Sequence, residues 1–293
     1  MYGQSDLMAR KADPTALAER TIAITGAARG IGRATAEALL ARGAKVAIGD
    51  VDAAAATEAA EALGPNAAGA KVDVSDRASF AAFLATAEQQ LGPLDVLINN
   101  AGIMPIGPML DQPEETSRRT LEVNVLGAIN GMAVAMPGML ERGSGQVVNV
   151  ASIAGKAPGP GGATYAATKA AVISLTETAR VELRGKGIDF TCVMPSFTNT
   201  DLISGTKGTK FVGTVEPQDV AEAIARAVVK PRKDVFVPKS VGRIAWTYPL
   251  IGRHARDAMA RSIGADRTFL DFDRDERSAY EARIAGKPTD KTT

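Results

Sequence analysis

Short apolar runs alternate with amphipathic segments over residues 20–238, and this alternation constrains the fold more than any other feature. Each short run is bounded by glycine or polar turn residues, as expected for a buried strand, and is followed by apolar residues at helical spacing. Such βα repeats predict parallel strands with right-handed crossovers. We therefore expect an α/β fold: one doubly wound parallel sheet of about seven strands between two layers of helices.

The predicted elements follow one another without long gaps. The predicted strands are Thr21–Thr25, Lys45–Gly49, Ala70–Val74, Leu94–Asn99, Gly145–Val150, Ile188–Met194 and Asp234–Val237. The predicted helices are Ile31–Ala41, Ala53–Leu63, Arg77–Leu91, Glu114–Leu140 with a bend near Pro137, Ala163–Arg184 and Pro217–Val229.

The pattern divides the chain into three parts. Residues 1–19 are polar and are expected to form a flexible or loosely docked extension. Residues 20–238 are expected to form a single domain, and 239–293 a C-terminal extension outside the alternation. Within that extension, apolar and aromatic residues between arginines at 241–261 are compatible with a peripheral membrane anchor, a lid over the substrate or a subunit contact, and the last two are favoured. The mixed-sign stretch Asp271–Arg283 predicts a solvated helix.

Composition narrows the function classes. The 293 residues carry a net charge of +1, so no nucleic acid is expected as a partner. The single cysteine, Cys192, and the single histidine, His254, predict neither an internal disulfide nor a transition-metal site. No secretory signal pattern and no apolar run of roughly 18 residues is visible, so a cytoplasmic location is the default expectation.

A glycine-rich turn, Thr25–Gly32, joins the first predicted strand to the first helix. Its glycines would allow a tight turn and close approach of the backbone to a pyrophosphate, which the helix N-terminus would then face. The candidate cofactor-binding residues in this turn are Gly26, Arg29, Gly30, Ile31 and Gly32.

Asp50 ends the second strand, roughly 20 residues after the glycine turn, where a carboxylate can bind the ribose hydroxyls of NAD. Arg29 favours NADP instead, because an arginine in the turn could bind the 2′-phosphate of NADP. The next residues are Val51 and Asp52 rather than bases, so NAD is favoured over NADP.

Polar and small residues follow the next two strands. Asp73 and Val74 are expected to meet the adenine amino group and ring, and Asn100, Ala101 and Gly102 let the backbone approach the cofactor. Ligands of such sheets bind at the carboxyl ends of strands, where all these residues fall.

Tyr165 and Lys169 stand one helical turn apart, and Ser152 lies thirteen residues before Tyr165. A lysine at i+4 shares the helix face with the tyrosine and is expected to lower the pKa of the phenol. Ser152 could then hold a substrate oxygen while Tyr165 moves a proton. Taken alone, the Tyr-x3-Lys spacing is common by chance.

Together these motifs make the chain resemble the short-chain dehydrogenase/reductase family over residues 20–238. The matching residues, in the family's order and near its spacing, are Thr25–Gly32, Asp73, Asn99–Gly102, Asn124, Ser152, Tyr165 and Lys169. The resemblance implies a Rossmann-type domain, a bound NAD(H) or NADP(H), and a Ser-Tyr-Lys centre in which Asn124 holds a water that links the lysine to solvent. It also implies a homodimer or homotetramer packed through helices 114–140 and 163–184.

The family's Pro-Gly after the sixth strand is Pro195-Ser196 here, so the loop is expected to differ in shape. By resemblance, Pro195, Thr198 and Thr200 orient the nicotinamide.

The expected reaction is reversible oxidation of an alcohol, with Tyr165 acting as base. The predicted substrate pocket comprises Met104–Met109, Gly155–Gly162 and Thr200–Val215, which carry few fixed charges apart from Lys156, Lys207 and Lys210. This composition favours a neutral, lipophilic secondary alcohol or ketone, such as a steroid, terpenoid or long-chain compound. An NADPH-dependent carbonyl reductase and a non-catalytic dinucleotide-binding regulatory protein remain as alternatives.

Overall fold

A computed structural model describes residue 13 and residues 15–206 and 213–285. Seven parallel strands form one sheet in the order β3-β2-β1-β4-β5-β6-β7. The strands are β1 Thr21–Thr25, β2 Lys45–Asp50, β3 Ala67–Lys71, β4 Leu94–Asn99, β5 Gly145–Val150, β6 Ile188–Pro195 and β7 Asp234–Val237. The order reverses direction between β1 and β4, as in a Rossmann-type sheet, and the crevice at that point is where such sheets bind dinucleotides.

The helices of the described chain cover both faces of the sheet and continue beyond it. They are α1 Gly30–Leu40, α2 Ala53–Leu63, α3 Arg77–Leu91, α4 Glu114–Leu121, α5 Gly127–Arg142, α6 Ala163–Glu182, α7 Pro217–Val229, α8 Val241–Thr247, α9 Arg253–Ile263 and α10 Arg274–Ile284. One core joins β1 and β2 to α1, α2 and α7, and a second joins the opposite face to α3, α5 and α6. The predicted α/β fold is thereby confirmed.

The third strand lies three residues earlier than predicted, at Ala67–Lys71 instead of Ala70–Val74. It pairs with β2 from Ala67 onward and passes directly beneath α2. A Cβ on Gly69 would lie 2.3 Å from the Ala56 carbonyl oxygen, so only a run of very small residues fits there. Asp73 and Val74 consequently follow the strand rather than end it.

The long predicted helix, Glu114–Leu140, continues to Arg142. It contains an irregular turn that the sequence pattern did not predict. A π-helical turn over Glu122–Leu126 joins α4 to α5, and the Gly127 N–H donates to the Glu122 carbonyl. Pro137 lies inside α5. The helix Glu114–Arg142 is also long and apolar enough to cross a membrane by length and composition alone, a test that core helices such as this one pass as well.

Both predicted extensions are more closely packed than expected where the structure describes them. Leu17 is 1% exposed in the core beside α1, and its N–H donates to the Arg42 carbonyl, so residues 15–19 are docked. The stretch predicted as a solvated helix forms α10, but its Arg277 and Tyr280 are 0% and 4% exposed. The prediction of a solvated helix is therefore wrong on that side of α10.

Candidate active site

Ser152, Tyr165 and Lys169 come together beyond the carboxyl end of β5, each less than 10% exposed. Tyr165 and Lys169 lie one turn apart in the first part of α6, as their spacing predicts. Ser152 caps the short 3-10 turn after β5, with its Oγ accepting a hydrogen bond from the Ala154 N–H at 3.1 Å. Tyr165 is hydrogen bonded to this serine. The fold thus assembles the trio that the sequence predicts.

The Lys169 ammonium is held between the strand end and the tyrosine. Its Nζ donates to the Val150 carbonyl at 2.9 Å and lies 5.7 Å from the centroid of the Tyr165 ring. A Cβ on Gly102 would lie 3.3 Å from this Nζ, so glycine leaves the ammonium room at the end of β4. Lys169 therefore lies between the end of β5 and the segment that follows β4.

Burial dominates the protonation of the trio. Burial raises the pKa of Tyr165 to about 12, and the hydrogen bond to Ser152 lowers it only in part. Burial likewise lowers the pKa of Lys169 to about 8. In the protein by itself, desolvation of the phenolate sets the direction of the shift, and the expectation that Lys169 lowers the pKa of Tyr165 stays a prediction.

Asn124 lies in the π-helical turn and is 3% exposed. Its Oδ1 accepts from the Ile103 N–H at 2.8 Å, while its Nδ2 donates to the Ile103 carbonyl and to Thr168 Oγ1. The side chain thereby ties the segment after β4 to α6. Asn124 and Lys169 both line a cavity of about 10 Å³, which is about the space that one water needs.

The glycine turn is built to bring backbone close to a ligand. Gly26 has φ +63°, and a Cβ there would lie 2.8 Å from the Ala101 Cα. The Asn100 Nδ2 donates to the carbonyls of Thr25 and Gly26 at 2.9 and 3.0 Å, which locks the turn to the end of β4. Arg29 precedes the first residue of α1 and makes no side-chain cap. Arg29, Gly30 and Ile31 all line the cavity, so the N-terminus of this helix borders it. This arrangement fits a dinucleotide pyrophosphate.

Asp50 and Arg29 lie where the adenosine ribose is expected. The Asp50 carboxylate is buried and accepts from the N–H groups of Ala28 and Asp52 at 3.2 and 3.3 Å. The Arg29 guanidinium instead pairs with the Asp52 carboxylate at 3.6 Å, both side chains being about half exposed. Asp50 is thus preorganised as an acceptor, and Arg29 is partly neutralised.

At the expected adenine end, Asp73 and Val74 also line the cavity. Burial raises the pKa of Asp73, but hydrogen bonds from Ser75 and the charge of Arg119 outweigh burial, so the carboxyl titrates below its ordinary value. Arg119, 3.7 Å from Asp73, lines the cavity too and was not singled out by sequence. Arg119 lies on α4, and no sequence pattern near it indicates that it contacts Asp73, which follows β3.

The segment after β6 reaches back to the glycine turn. Pro195 ends β6, and Thr198 is 5% exposed with its hydroxyl donating to the Ser196 carbonyl at 3.1 Å. Thr200 lies beside Gly30, whose added Cβ would stand 3.5 Å from the threonine methyl. The residues expected to orient a nicotinamide therefore line the same cavity as the catalytic trio, and Thr200 lies beside the glycine turn.

One cavity of about 930 Å³ is lined by the catalytic trio and by all the predicted cofactor-binding residues except Gly32. Asn124 lies outside this lining, beside the small cavity that it shares with Lys169. The substrate end of the larger cavity is lined by Met104, Leu202 and Ile203 and by residues 157–160, all within the predicted stretches, and by Ala154, which lies just before one of them. The prediction was too wide at Met109, which is 68% exposed and outside the lining, and at Lys156, which is not in the lining either. Lys207 and Lys210 lie outside the described residues.

The C-terminal extension supplies the rest of the wall, which sequence analysis left undecided. The lining residues from this extension are Val241, Ile244, Tyr248, Arg256, Met259, Ala260, Ile263, Ala265, Phe269, Tyr280, Arg283 and Ile284. The i, i+4 pair Met259 and Ile263 on α9 was the available signal, since it marks one apolar helix face. Among the described residues, no group of three or more His, Cys, Asp or Glu side chains could hold a metal ion.

A parallel doubly wound sheet with a glycine turn, a buried Ser-Tyr-Lys trio and one shared cavity defines a nicotinamide dinucleotide-dependent oxidoreductase. The family model described as short chain dehydrogenase matches residues 20–209. The chain belongs to this family, and it is an alcohol dehydrogenase or ketone reductase.

Individual relatives agree with the family. The chain is 39% identical to cis-4-hydroxycyclohexanecarboxylate dehydrogenase of Sinomonas cyclohexanicum, over 72% of this chain and 89% of that protein. It is 39% identical to galactitol 2-dehydrogenase of Agrobacterium fabrum, over 59% and 68% of the two chains. It is also 36% identical to glycine betaine reductase ATRR of Emericella nidulans, over 73% of this chain but only 18% of that much longer protein.

Proposed function

We propose that this protein is an NAD-dependent dehydrogenase that oxidises an apolar secondary alcohol to a ketone, reversibly. The observation that carries the proposal is the shared cavity, in which Ser152, Tyr165 and Lys169 lie between the glycine turn and an apolar wall. Asp50 supports NAD over NADP, because its buried carboxylate is positioned to accept from ribose hydroxyls and would repel a 2′-phosphate.

In this mechanism each residue of the trio has one task. The Ser152 hydroxyl donates to the substrate oxygen, and Tyr165, once deprotonated, accepts the substrate's hydroxyl proton. When bound, NAD supplies the hydride acceptor, and its positive ring favours the phenolate. Lys169 adds positive charge 5.7 Å from the Tyr165 ring and binds the nicotinamide ribose. With these charges beside it, the pKa of Tyr165 must fall from about 12 for the base to work near neutral pH.

Asn124 supports a route for the proton behind Lys169. The small cavity beside Asn124 and Lys169 has room for one water molecule, as the family's mechanism requires. Both Nδ2 hydrogens of Asn124 are used by Ile103 and Thr168, and its Oδ1 accepts from Ile103, so its contribution is to keep that cavity open and the segment after β4 in place.

Apolar side chains at the substrate end support a lipophilic substrate. Met104, Leu202 and Ile203 line this end of the cavity, and the extension adds Val241, Ile244, Met259, Ile263 and Phe269. A polyol would leave several hydroxyl groups without partners against such a wall, which costs binding free energy. We therefore rank alicyclic and long-chain alcohols above galactitol.

A substrate screen tests the proposal. The absorbance of NADH would be followed while the protein is incubated with NAD and one alcohol at a time. The alcohols are cyclohexanol, cis-4-hydroxycyclohexanecarboxylate, a hydroxysteroid, a terpenoid alcohol, 2-decanol and galactitol. We expect turnover of at least one apolar alcohol, with galactitol slower by at least tenfold. Turnover only with NADPH and ketones would favour the carbonyl reductase instead. Tight NAD binding without any turnover would favour the regulatory protein.

The extension is proposed to act as a lid over the substrate. Phe269 packs on the glycine-rich segment Gly159–Gly162, and its ring lies 5.6 Å from that of Phe197 after β6. Trp246 and Leu250, at 70% and 84% exposed, are the residues that an anchor would use. Co-sedimentation with liposomes of phosphatidylcholine and phosphatidylserine, compared with a chain ending at Lys239, tests that alternative; the lid predicts no pelleting of either chain.

A homodimer or homotetramer through helices 114–140 and 163–184 is proposed as well. Apolar side chains stay exposed along these helices, namely Leu121, Leu126, Ile129, Leu140 and Val181. Light scattering would measure the oligomeric state, and charged substitutions at Leu126 and Ile129 should shift it to the monomer. A cytoplasmic location stays a prediction, which cell fractionation would test.

A further inference from the structure

Arg277 on α10 is the largest side chain that is completely buried among the described residues. A buried guanidinium is costly unless its donors are satisfied. Here its Nε pairs with Glu281 one turn later on the same helix, at 2.6 Å. Its remaining N–H donors bond to acceptors outside α10.

The Arg277 guanidinium bonds the backbone of two separate segments. Its Nη1 donates to the carbonyls of Leu202 and Ser204, at 2.9 and 3.2 Å, in the segment after β6. Its Nη2 donates to the carbonyl of Met104 in the segment after β4. Met104 and Leu202 both line the substrate end of the cavity, so one side chain joins two walls of the pocket.

Tyr280, one turn further along α10, strengthens the same junction. Its hydroxyl oxygen accepts from the Met104 N–H at 2.7 Å, so α10 holds both backbone polar groups of that residue. The Arg277 guanidinium carbon lies 4.7 Å from the Tyr280 ring centroid. Burial raises the pKa of Tyr280, which keeps its hydroxyl protonated.

Two further bonds tie α10 to the segment after β6. The Asp273 N–H donates to the Gly205 carbonyl at 2.8 Å, and Arg283 pairs with Asp201 at 2.8 Å. The contacts of Arg277 and Tyr280 thus belong to a continuous seam along α10. The glycine turn, Asp50 and Asn100 have no bond to this seam.

We propose that α10 is a clamp that sets the distance between the two substrate-side segments, with Arg277 as its positioning residue. The inference deepens the proposed function, on which its kinetic part rests. Arg277 touches neither Ser152 nor Tyr165 through a hydrogen bond, so it acts through Met104 and Leu202–Ser204. Loss of the clamp should widen the substrate end and leave the cofactor end unchanged.

The test compares Arg277→Met, which keeps the stem and loses the donors, with Arg267→Met as a matched control. Arg267 lies on the same extension and also pairs with an acid four residues later, Asp271, but it is 70% exposed. Amide hydrogen exchange of the full chain gives a readout that needs no substrate. In Arg277→Met we expect peptides covering 103–106 and 201–205 to exchange at least tenfold faster, with peptides covering 26–32 unchanged; Arg267→Met should match wild type.

Kinetics with cyclohexanol, or the best alcohol of the screen, supply the second readout. We expect KM to rise about tenfold or more in Arg277→Met, with the NADH dissociation constant within twofold of wild type. Tyr280→Phe, which removes one acceptor and keeps the ring, should shift KM in the same direction by less. If Arg277→Met does not fold, Tyr280→Phe still tests the clamp, because it changes the other contact of α10 with Met104.

Two outcomes would overturn the clamp. One is unchanged exchange at 103–106 and 201–205 in both α10 variants. The other is loss of NADH affinity and thermal stability in parallel with the change in KM, which would mean a general structural role. If wild type turns over no alcohol, the proposed function fails, while the exchange experiment still decides the clamp.

Discussion

The Lys169 ammonium lies 5.7 Å from the centroid of the Tyr165 ring, and both side chains are almost completely buried. Burial shifts the two pKa values towards the neutral forms, to about 8 for Lys169 and about 12 for Tyr165. In the protein by itself, the Tyr165 phenol is therefore protonated, and it lies beside an ammonium group that loses its proton more readily than an ordinary lysine does. Positive charge from the cofactor is what the proposed mechanism needs to turn this pair into a working base.

Tyr165→Phe removes the hydroxyl that moves the proton and leaves the ring packed. We expect kcat to fall by at least ~10²-fold, the lower range for a positioned acid or base. Fluorescence titration should show NADH binding within a factor of two of wild type. Near-normal turnover in this variant would contradict the role of Tyr165.

Lys169→Met should separate activity from stability. The pKa of Lys169 lies below its ordinary value of 10.5, so the unfolded chain binds more protons than the folded chain between about pH 8 and 10.5. The free energy of unfolding of wild type should therefore rise across this window relative to the variant, by about 2 kcal/mol from pH 8 to 9.5. Below pH 8 the penalty is complete, and Lys169→Met should be the more stable protein.

Urea unfolding of both proteins at pH 7, 8 and 9.5 measures this difference. The expected phenotype at pH 7 is an inactive variant with a raised midpoint. A difference between the two proteins that stays constant with pH would show that Lys169 is not desolvated in the folded state.

Asp50→Ala should weaken NAD binding about tenfold, because ribose loses a charged acceptor worth roughly 1–2 kcal/mol. Asp52→Asn serves as the contrast. It removes the carboxylate that pairs with Arg29 at 3.6 Å, and it should raise NADP affinity severalfold while leaving NAD affinity nearly unchanged. Calorimetric titration of both cofactors measures the effects; a wild type that binds NADP more tightly than NAD would reverse the assignment.

Asn124→Ala should destabilise the fold as well as slow the reaction. The substitution leaves the partly buried N–H and carbonyl of Ile103, and the Thr168 hydroxyl, without their side-chain partner. We expect a loss of about 3 kcal/mol in the free energy of unfolding. Chemical denaturation provides the value, and an unchanged midpoint would mean that Asn124 does not hold the segment after β4.

Local patterns were sufficient for most of the sheet and for the trio. Tyr165 and Lys169 share a helix face because of their spacing, and Ser152 follows a strand whose apolar run is unambiguous. The pattern misplaced β3, because the strand begins with four small residues, Ala-Ala-Gly-Ala, that show no strand pattern. They are small because the strand passes close beneath α2. The pattern also gave no sign of the π-helical turn that places Asn124 against Ile103.

The sequence by itself determined the fold class, the glycine turn and the catalytic trio, since these depend on residues near one another or on the regular spacing of strands and helices. Only the tertiary structure decided what the C-terminal extension does. The bond from Arg277 to Met104 spans 173 residues, and nothing local marks either partner. A mixed-charge helix reads as solvated until folding brings backbone carbonyls from two distant segments to its arginine, where they satisfy donors that water would otherwise bind.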